Sequence, residues 1–149
     1  MSQYYTIFLA FIGGVFLSIH GGFNTQLSTL LKSPIQASLI AYIFSALIAL
    51  VTVIGSMKQT PSLVQLKSIP TYLYFSGAVF SFIGISLYYY TIPKLGISTM
   101  ISIGLIGQIV FSLIADHFGW FGLKVFPLSY KRLIGVIAMI LGIFLIKNK

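Results

Sequence analysis

The stretch that decides the fold runs from residue 96 to residue 122 and reads GISTMISIGLIGQIVFSLIADHFGWFG. Up to Ala115 it is apolar, apart from small residues and the amide of Gln108 near its middle. It closes on Asp116, the one carboxylate side chain in the protein, followed by His117 and an aromatic, glycine-rich corner. A run this long and apolar predicts a helix that crosses a lipid bilayer, from about residue 97 to residue 115.

Gln108 is the notable polar group of this span. An amide in hydrocarbon is costly unless it finds a hydrogen-bond partner. On helical spacing Ser112 lies one turn from Gln108, and Asp116 continues the same face. Two interpretations are open. The amide either bonds a neighbouring helix or lines the path of a polar solute, and one residue can do both.

The composition predicts an all-α polytopic membrane protein. Of 149 residues, 58% are hydrophobic and only 7% are charged. A soluble domain, in contrast, has roughly 25% charged residues. The length allows a single transmembrane domain, residues 1–149. Ser33 and Pro34 predict a helix start, Pro93 is expected to stop the third span, and Ser129 can cap the last. The five predicted spans are residues 5–31, 34–55, 72–92, 97–115 and 133–146.

The charged residues and the absence of cysteine argue against several functions. Nine lysines and arginines against one aspartate give a net charge of +8, but the cations lie between apolar runs, so we expect them to meet lipid head groups rather than nucleic acid. The absence of cysteine excludes disulfides and thiolate metal sites. Two histidines without carboxylate or thiol neighbours make a poor metal site. No catalytic triad or phosphate-binding loop can be drawn, so we expect no enzyme activity and no cofactor.

The placement of the cations predicts two membrane orientations. With five spans, one side of the membrane carries four cations and the other carries five, and a difference of one is too small to fix the orientation. We therefore expect insertion both ways and pairing as an antiparallel homodimer of ten helices. The alternative is that other signals impose one orientation. Gly135, Ala138 and Gly142 share a face of the last span and are the expected dimer-packing residues. The two sets of cations are Lys32, Lys94, Lys147 and Lys149, and Lys58, Lys67, Lys124, Lys131 and Arg132.

Polar residues inside the spans are the candidate substrate pathway. His20 and Asn24 are four residues apart and share a helix face. His20 can relay protons near neutral pH, or it can be a neutral histidine bonded to a carbonyl or to Asn24. Among the tyrosines at residues 88–90, the small-residue face of the third span places Tyr88 inside and leaves Tyr89 in an interfacial belt. The predicted pathway set is Gln108, Asn24, His20, Ser112, Ser81 and Tyr88.

Asp116 and His117, at the end of the fourth span, allow two further interpretations. They are either an interfacial helix-end charge or a pair that couples transport to an ion. A helix-end position favours the first.

Several motifs resemble one known family. The chain resembles the YdcZ-like small transmembrane proteins of the drug/metabolite transporter superfamily over nearly its whole length. This resemblance implies five helices per subunit, each subunit being half a transporter that pairs with an inverted copy in the inner membrane. Where the family often has glutamine, this chain has His20. The matching residues are Asn24 and Leu27, Ser33-Pro34, residues 93–96 (PKLG), Gly107-Gln108, Ser112, residues 116–119 (DHFG), Phe121-Gly122, Pro127, Arg132 and Gly135.

The leading functional hypothesis is a transporter or facilitator that moves a small polar or amphipathic metabolite by alternating access. A membrane scaffold or accessory subunit that transports nothing is the first alternative. A multidrug exporter of hydrophobic cations is the second, and the lack of a carboxylate within the spans argues against it.

Overall fold

The computed structural model describes residues 3–56 and 61–147, and every regular element within them is helical. This confirms the all-α prediction. The chain divides after Lys94 into two compact units, the first holding α1 to α4 and the second α5 and α6. The α-helices are α1 (Gln3–Leu31), α2 (Pro34–Ser56), α3 (Leu63–Ser68), α4 (Ser76–Leu95), α5 (Ile97–Phe118) and α6 (Tyr130–Lys147). Two short 3₁₀ turns, Thr71–Tyr74 and Trp120–Gly122, precede α4 and follow α5.

Among the described residues, four helical segments are long and apolar enough to cross a membrane: α1, α2, Thr71–Leu95 and α5. At most 11% of the most apolar 18 residues of each segment are buried, so their large side chains face outward. Such an apolar exterior is stable in lipid and unstable in water. The helix α6 carries charges at both ends and is not among these four. Of the cations used to predict orientation, Lys58 and Lys149 lie outside the described residues.

The turn between α1 and α2 is closed by backbone hydrogen bonds. Lys32 has a left-handed φ of 53°, its amide donates to the carbonyl of Thr29 (3.2 Å), and the amide of Ser33 donates to the carbonyl of Ser28 (3.1 Å). This Schellman pattern satisfies carbonyls that the end of α1 would otherwise leave open. The Oγ of Ser33 then accepts an amide of the first turn of α2 at 3.3 Å. The predicted start of the second span at Pro34 is confirmed.

Small side chains form the buried face of α1. Gly21, Thr25 and Ser28 are buried, and their spacing of four and three residues puts them on one side of the helix. A Cβ added to Gly21 would lie 3.6 Å from Cδ1 of Ile92 on α4. This distance is ordinary van der Waals contact, so Gly21 faces the side chain of Ile92 and the site has room for a methyl group.

The third span does not stop at Pro93. Instead α4 continues through Pro93 and ends at Leu95, so that prediction is wrong. A proline removes one backbone donor, and in the last turn of a helix that loss is confined to a single hydrogen bond. The Oγ1 of Thr91 also donates to the carbonyls of Leu87 (2.7 Å) and Tyr88 (3.3 Å), which adds bonds within the same turn.

The connection before α4 contains the short helix α3. A capping box starts it: Oγ of Ser62 accepts the amide of Gln65 at 3.2 Å, and Oε1 of Gln65 accepts the amide of Ser62 at 3.0 Å. The hydroxyl of Tyr74 donates to the carbonyl of Leu66 at 2.7 Å. These bonds join α3 to the 3₁₀ turn that leads into α4.

In the second unit the chain reverses through a corner that requires glycine. Gly119 follows the last residue of α5 with a φ of 63°, and its amide bonds carbonyls of the last turn. A Cβ at Gly119 would lie 2.7 Å from Cγ2 of Val125. Both the backbone conformation and the available space exclude a side chain here. The helix α6 begins at Tyr130, three residues before the predicted start of the last span. Ser129 caps it as predicted, because its Oγ accepts the amide of Arg132 at 3.4 Å.

The substitution Gly119→Ala should destabilise the protein by about 1–3 kcal/mol, because alanine is strained in the left-handed region and its methyl group must displace Val125. Thermal unfolding in detergent measures the change. Gly13→Ala is the matched control, since a Cβ at Gly13 meets nothing within 4 Å and alanine favours helix. Equal melting temperatures for the two variants would contradict the role given to Gly119.

Candidate functional site

A histidine and a tyrosine from two helices meet inside the first unit. The Nε2 of His20 on α1 lies 3.2 Å from the hydroxyl of Tyr89 on α4, and the ring centroids are 6.0 Å apart. Tyr89 is only 1% exposed, while His20 is half-buried. A tyrosine hydroxyl can donate to a neutral imidazole nitrogen or accept from an N–H group. The contact therefore suits either protonation state of His20.

Asn24 lies one helical turn after His20. Its Nδ2 donates to the backbone carbonyl of His20 at 2.9 Å, so the amide bonds the main chain and not the imidazole. The sequence left open whether the ring of His20 bonds a carbonyl or Asn24. In the structure the ring partner is Tyr89.

Tyr89 is the residue that the sequence analysis missed. It was expected in an interfacial belt, but it is the buried member of the tyrosine run, while Tyr88 is half-buried. Tyr90 is 52% exposed, with the Nζ of Lys94 3.5 Å from its ring centroid. Ser86 lies three residues before Tyr89, so the two polar side chains share one face of α4. This spacing is the sequence signal that could have identified the buried face of α4.

Two hydroxyl pairs join α2 to α4. Ser38 and Ser86 have their Oγ atoms 3.0 Å apart, and the hydroxyl of Tyr42 lies 2.7 Å from Oγ of Ser81. The order of the partners is reversed between the two helices, so α2 and α4 run antiparallel. Ser81 was predicted to assist in the substrate pathway, and its hydroxyl is engaged with Tyr42.

Thr25 carries a buried hydroxyl that bonds nothing in the described part of the chain. Its Oγ1 is inaccessible and without a hydrogen-bond partner, and the residue is 8% exposed. A buried polar atom left unsatisfied costs about 1–3 kcal/mol. Such an atom is stabilised by a water molecule or by a polar group of a solute. We call His20, Asn24 and Tyr89 the polar cluster, since both Asn24 and Tyr89 bond His20.

Two residues of the predicted pathway lie in the second unit. Gln108 and Ser112 are on α5 and are exposed in the single chain, and the Oγ of Ser112 donates to the carbonyl of Gln108 at 2.7 Å. The first unit holds the other four members of the set, His20, Asn24, Ser81 and Tyr88. The structure thus brings His20 together with Asn24, and Gln108 together with Ser112. That all six predicted residues line one substrate pathway stays a prediction.

Asp116 and His117 bind the connection that follows α5. The Oδ2 of Asp116 lies 3.2 Å from Nη2 of Arg132, with both side chains about one-third exposed. The Nη1 of Arg132 donates to the carbonyl of Phe126 (3.2 Å), whose amide donates to the carbonyl of Asp116 (2.9 Å). The amide of Leu128 donates to Nδ1 of His117 at 3.3 Å. These contacts favour the helix-end interpretation of Asp116 and His117 over ion coupling.

The two sides of α6 differ. A Cβ added to Gly135 or Gly142 would meet nothing within 4 Å, so the face that they share with Ala138 is open in the single chain. The opposite side of the helix packs toward α5 and encloses an apolar cleft of about 190 Å³. The cleft is lined by Ile103, Ile106, Ile140, Ile143 and Phe144.

Among the polar groups of the four candidate spans, Lys94, Asp116 and His117 lie in last turns, and those away from the helix ends are hydroxyls, amides and the imidazole of His20. Groups of this kind hold a solute by hydrogen bonds and not by ion pairs. Helical segments long and apolar enough to cross a membrane, joined by hydrogen-bonding groups between α1, α2 and α4, are typical of an integral membrane protein.

The sequence model of one protein family matches residues 5–145, and its description reads "Putative inner membrane exporter, YdcZ". The match covers nearly the whole chain, so the protein belongs to this family. The predicted family and the inner-membrane location are therefore confirmed. The family's description is that of a transporter and not of an enzyme. Comparisons with curated proteins and with solved structures give no match.

The substitution Tyr89→Phe should destabilise the protein by about 1 kcal/mol, because it removes the ring partner of His20. In a His20→Ala background the same substitution should cost less, with a coupling free energy of about 0.5–1.5 kcal/mol. The free energy of unfolding in detergent is measured for the four proteins of this double-mutant cycle, namely wild type, the two single variants and the double variant. Tyr130→Phe is the control, since Tyr130 is 87% exposed. Strictly additive effects of the His20 and Tyr89 variants would contradict the contact.

Proposed function

We propose that the protein exports a small polar or amphipathic metabolite across the inner membrane by alternating access. The observation that carries this proposal is the polar cluster, in which His20 bonds the buried Tyr89. On the same helix as His20, the buried Oγ1 of Thr25 has no partner among the described residues. Polar groups inside membrane helices are costly, and they commonly mark substrate or ion pathways. Membership in an exporter family supports the same conclusion.

The chemistry of the solute follows from the polar groups that are present. The cluster offers hydroxyl, amide and imidazole groups, which suit a neutral or hydrogen-bonding solute. A hydrophobic cation would need a carboxylate, and the one carboxylate side chain in the sequence, Asp116, already pairs with Arg132. Export of hydrophobic cations is therefore disfavoured.

In this proposal α6 is the fifth membrane span. Its 18 residues measure about 27 Å at 1.5 Å per residue, close to the thickness of the hydrocarbon core. Its lysines and arginine lie in the first and last turns. Long basic side chains at helix ends extend to the head groups, so they are compatible with a crossing.

Two copies in opposite orientations would complete the transporter. The near equality of cations on the two sides supports insertion both ways. The open face of Gly135, Ala138 and Gly142 has room for a close helix contact with a second copy. Inverted pairs of helix bundles commonly hold their substrate near the midplane, at the interface of the two halves.

Within the dimer, Gln108, Asn24 and His20 would contact the solute, Ser81 and Ser112 would assist, and Tyr88 would gate the path or stack on the solute. The exposure of Gln108 and Ser112 in the single chain supports a position that a second copy covers.

A non-transporting membrane subunit is the second candidate. The pairs Ser38–Ser86 and Tyr42–Ser81 favour it, since their hydroxyls satisfy one another and so act as contacts between helices. This candidate predicts a partner protein in fixed ratio and no change in exported metabolites.

Export is tested with cells that produce wild type or Gln108→Ala. Mass spectrometry of the medium should find one or more polar metabolites enriched with wild type and reduced about 5- to 150-fold with Gln108→Ala, since a lost hydrogen bond to a bound solute costs about 1–3 kcal/mol. Gln36→Ala is the matched control, because Gln36 is an exposed amide in the first turn of α2. Identical media from cells with and without the protein would support the subunit candidate.

The orientation is tested with single cysteines in this naturally cysteine-free chain. The variants Lys32→Cys and Lys131→Cys should each react with an impermeant maleimide from both sides of the membrane, with comparable fractions labelled in intact and in inverted vesicles. Both positions flank long spans, so the substitutions leave the apolar segments unchanged. Labelling of each position from one side only would contradict dual orientation and leave the family assignment unaffected.

A further inference from the structure

The connection between α5 and α6 carries cations that lack a carboxylate partner. Lys124, Lys131 and Arg132 lie within nine residues of sequence. The one carboxylate side chain of the protein, Asp116, bonds Arg132 at 3.2 Å. No second aspartate or glutamate exists in the sequence to neutralise Lys124 and Lys131. Both lysines are exposed, so an anionic group outside the chain can reach them.

One aromatic ring holds two of these cations near each other. The Nζ of Lys124 and the Cζ of Arg132 each lie 5.6 Å from the ring centroid of Phe126. The two positive groups are thus no farther apart than twice this distance. Lys131 adjoins Arg132 in the first turn of α6. We call Lys124, Phe126, Lys131 and Arg132 the basic corner.

The surroundings of the basic corner place it at the membrane surface. Large apolar side chains of this connection and its flanks are more than 60% exposed: Phe118, Phe121, Leu123 and Tyr130. Apolar side chains this exposed are unfavourable in an aqueous loop, whereas aromatic residues are enriched where the bilayer meets water. Cations interleaved with these side chains lie at the level of the lipid phosphates.

Backbone contacts hold the basic corner in one conformation. The amide of Phe126 donates to the carbonyl of Asp116, and the amide of Leu128 donates to Nδ1 of His117. The Nη1 of Arg132 also donates to the carbonyl of Phe126. A ligand that binds here does not have to order the segment, and this lowers the entropic cost of binding.

We propose that the basic corner is a binding site for the head group of an anionic phospholipid. The ammonium groups of Lys124 and Lys131 contact the phosphate, and Arg132, fixed by Asp116, contributes positive charge beside them. The exposed aromatic and aliphatic side chains around the corner contact the glycerol and upper acyl region. A soluble phosphate lacks this apolar part and binds more weakly.

The test compares phosphatidylglycerol with phosphatidylcholine, each titrated into purified full-length protein in detergent and followed by native mass spectrometry. Wild type should bind phosphatidylglycerol preferentially. The double variant Lys124→Gln with Lys131→Gln should bind it roughly 30-fold more weakly, since each lysine near an anionic lipid surface contributes about fivefold. Its binding of phosphatidylcholine should not change. The conservative variant Lys124→Arg with Lys131→Arg should keep the preference.

Lys67→Gln with Lys94→Gln is the matched control, because it removes the same charge from the other unit of the protein. An equal loss with this control would show a general effect of net charge and overturn the site. Absence of any preference in wild type would overturn it as well. Inorganic phosphate that displaces the lipid at equal concentration would show a simple anion site and exclude the head-group assignment.

Discussion

In hydrocarbon a polar side chain needs a hydrogen-bond partner from the protein. In the first unit this constraint determines which faces of α1, α2 and α4 meet. The hydroxyls of α4 meet hydroxyls of α2 in antiparallel order, and Tyr89 meets the imidazole of His20 on α1. Each of these contacts restricts the rotation of α4 about its axis, because the bonded side chains must face α1 or α2. The buried hydroxyl of Thr25 differs from these groups, because it has no hydrogen-bond partner among the described residues.

The sequence predicts those features that depend on local chemistry. The start of α2 at Pro34, the cap from Ser129 and the corner at Gly119 follow from proline, serine and glycine preferences, which act over a few residues. The apolar runs predict membrane helices, because a lipid-facing surface needs apolar side chains all along its length.

Other features depend on partners distant in sequence and were missed. Which of three consecutive tyrosines is buried depends on the rotation of α4, and that rotation is set by contacts with α1 and α2. A proline inside a helix is unfavourable because it removes one hydrogen bond and clashes with the carbonyl four residues before it. The sequence therefore did not predict that α4 continues two residues past Pro93. The pairing of Asp116 with Arg132 spans a connection of irregular backbone, where no helical period relates one residue to the other.

The single carboxylate of the sequence has a consequence for behaviour in acid. Most proteins unfold at low pH because many paired carboxylates are protonated there and their ion pairs are lost. This chain can lose one such pair, between Asp116 and Arg132, whose partly exposed position makes it a small contribution to stability. The bonds that join α2 to α4 link hydroxyls and contain no carboxylate. This part of the tertiary structure should therefore persist in acidic media that denature acid-rich proteins.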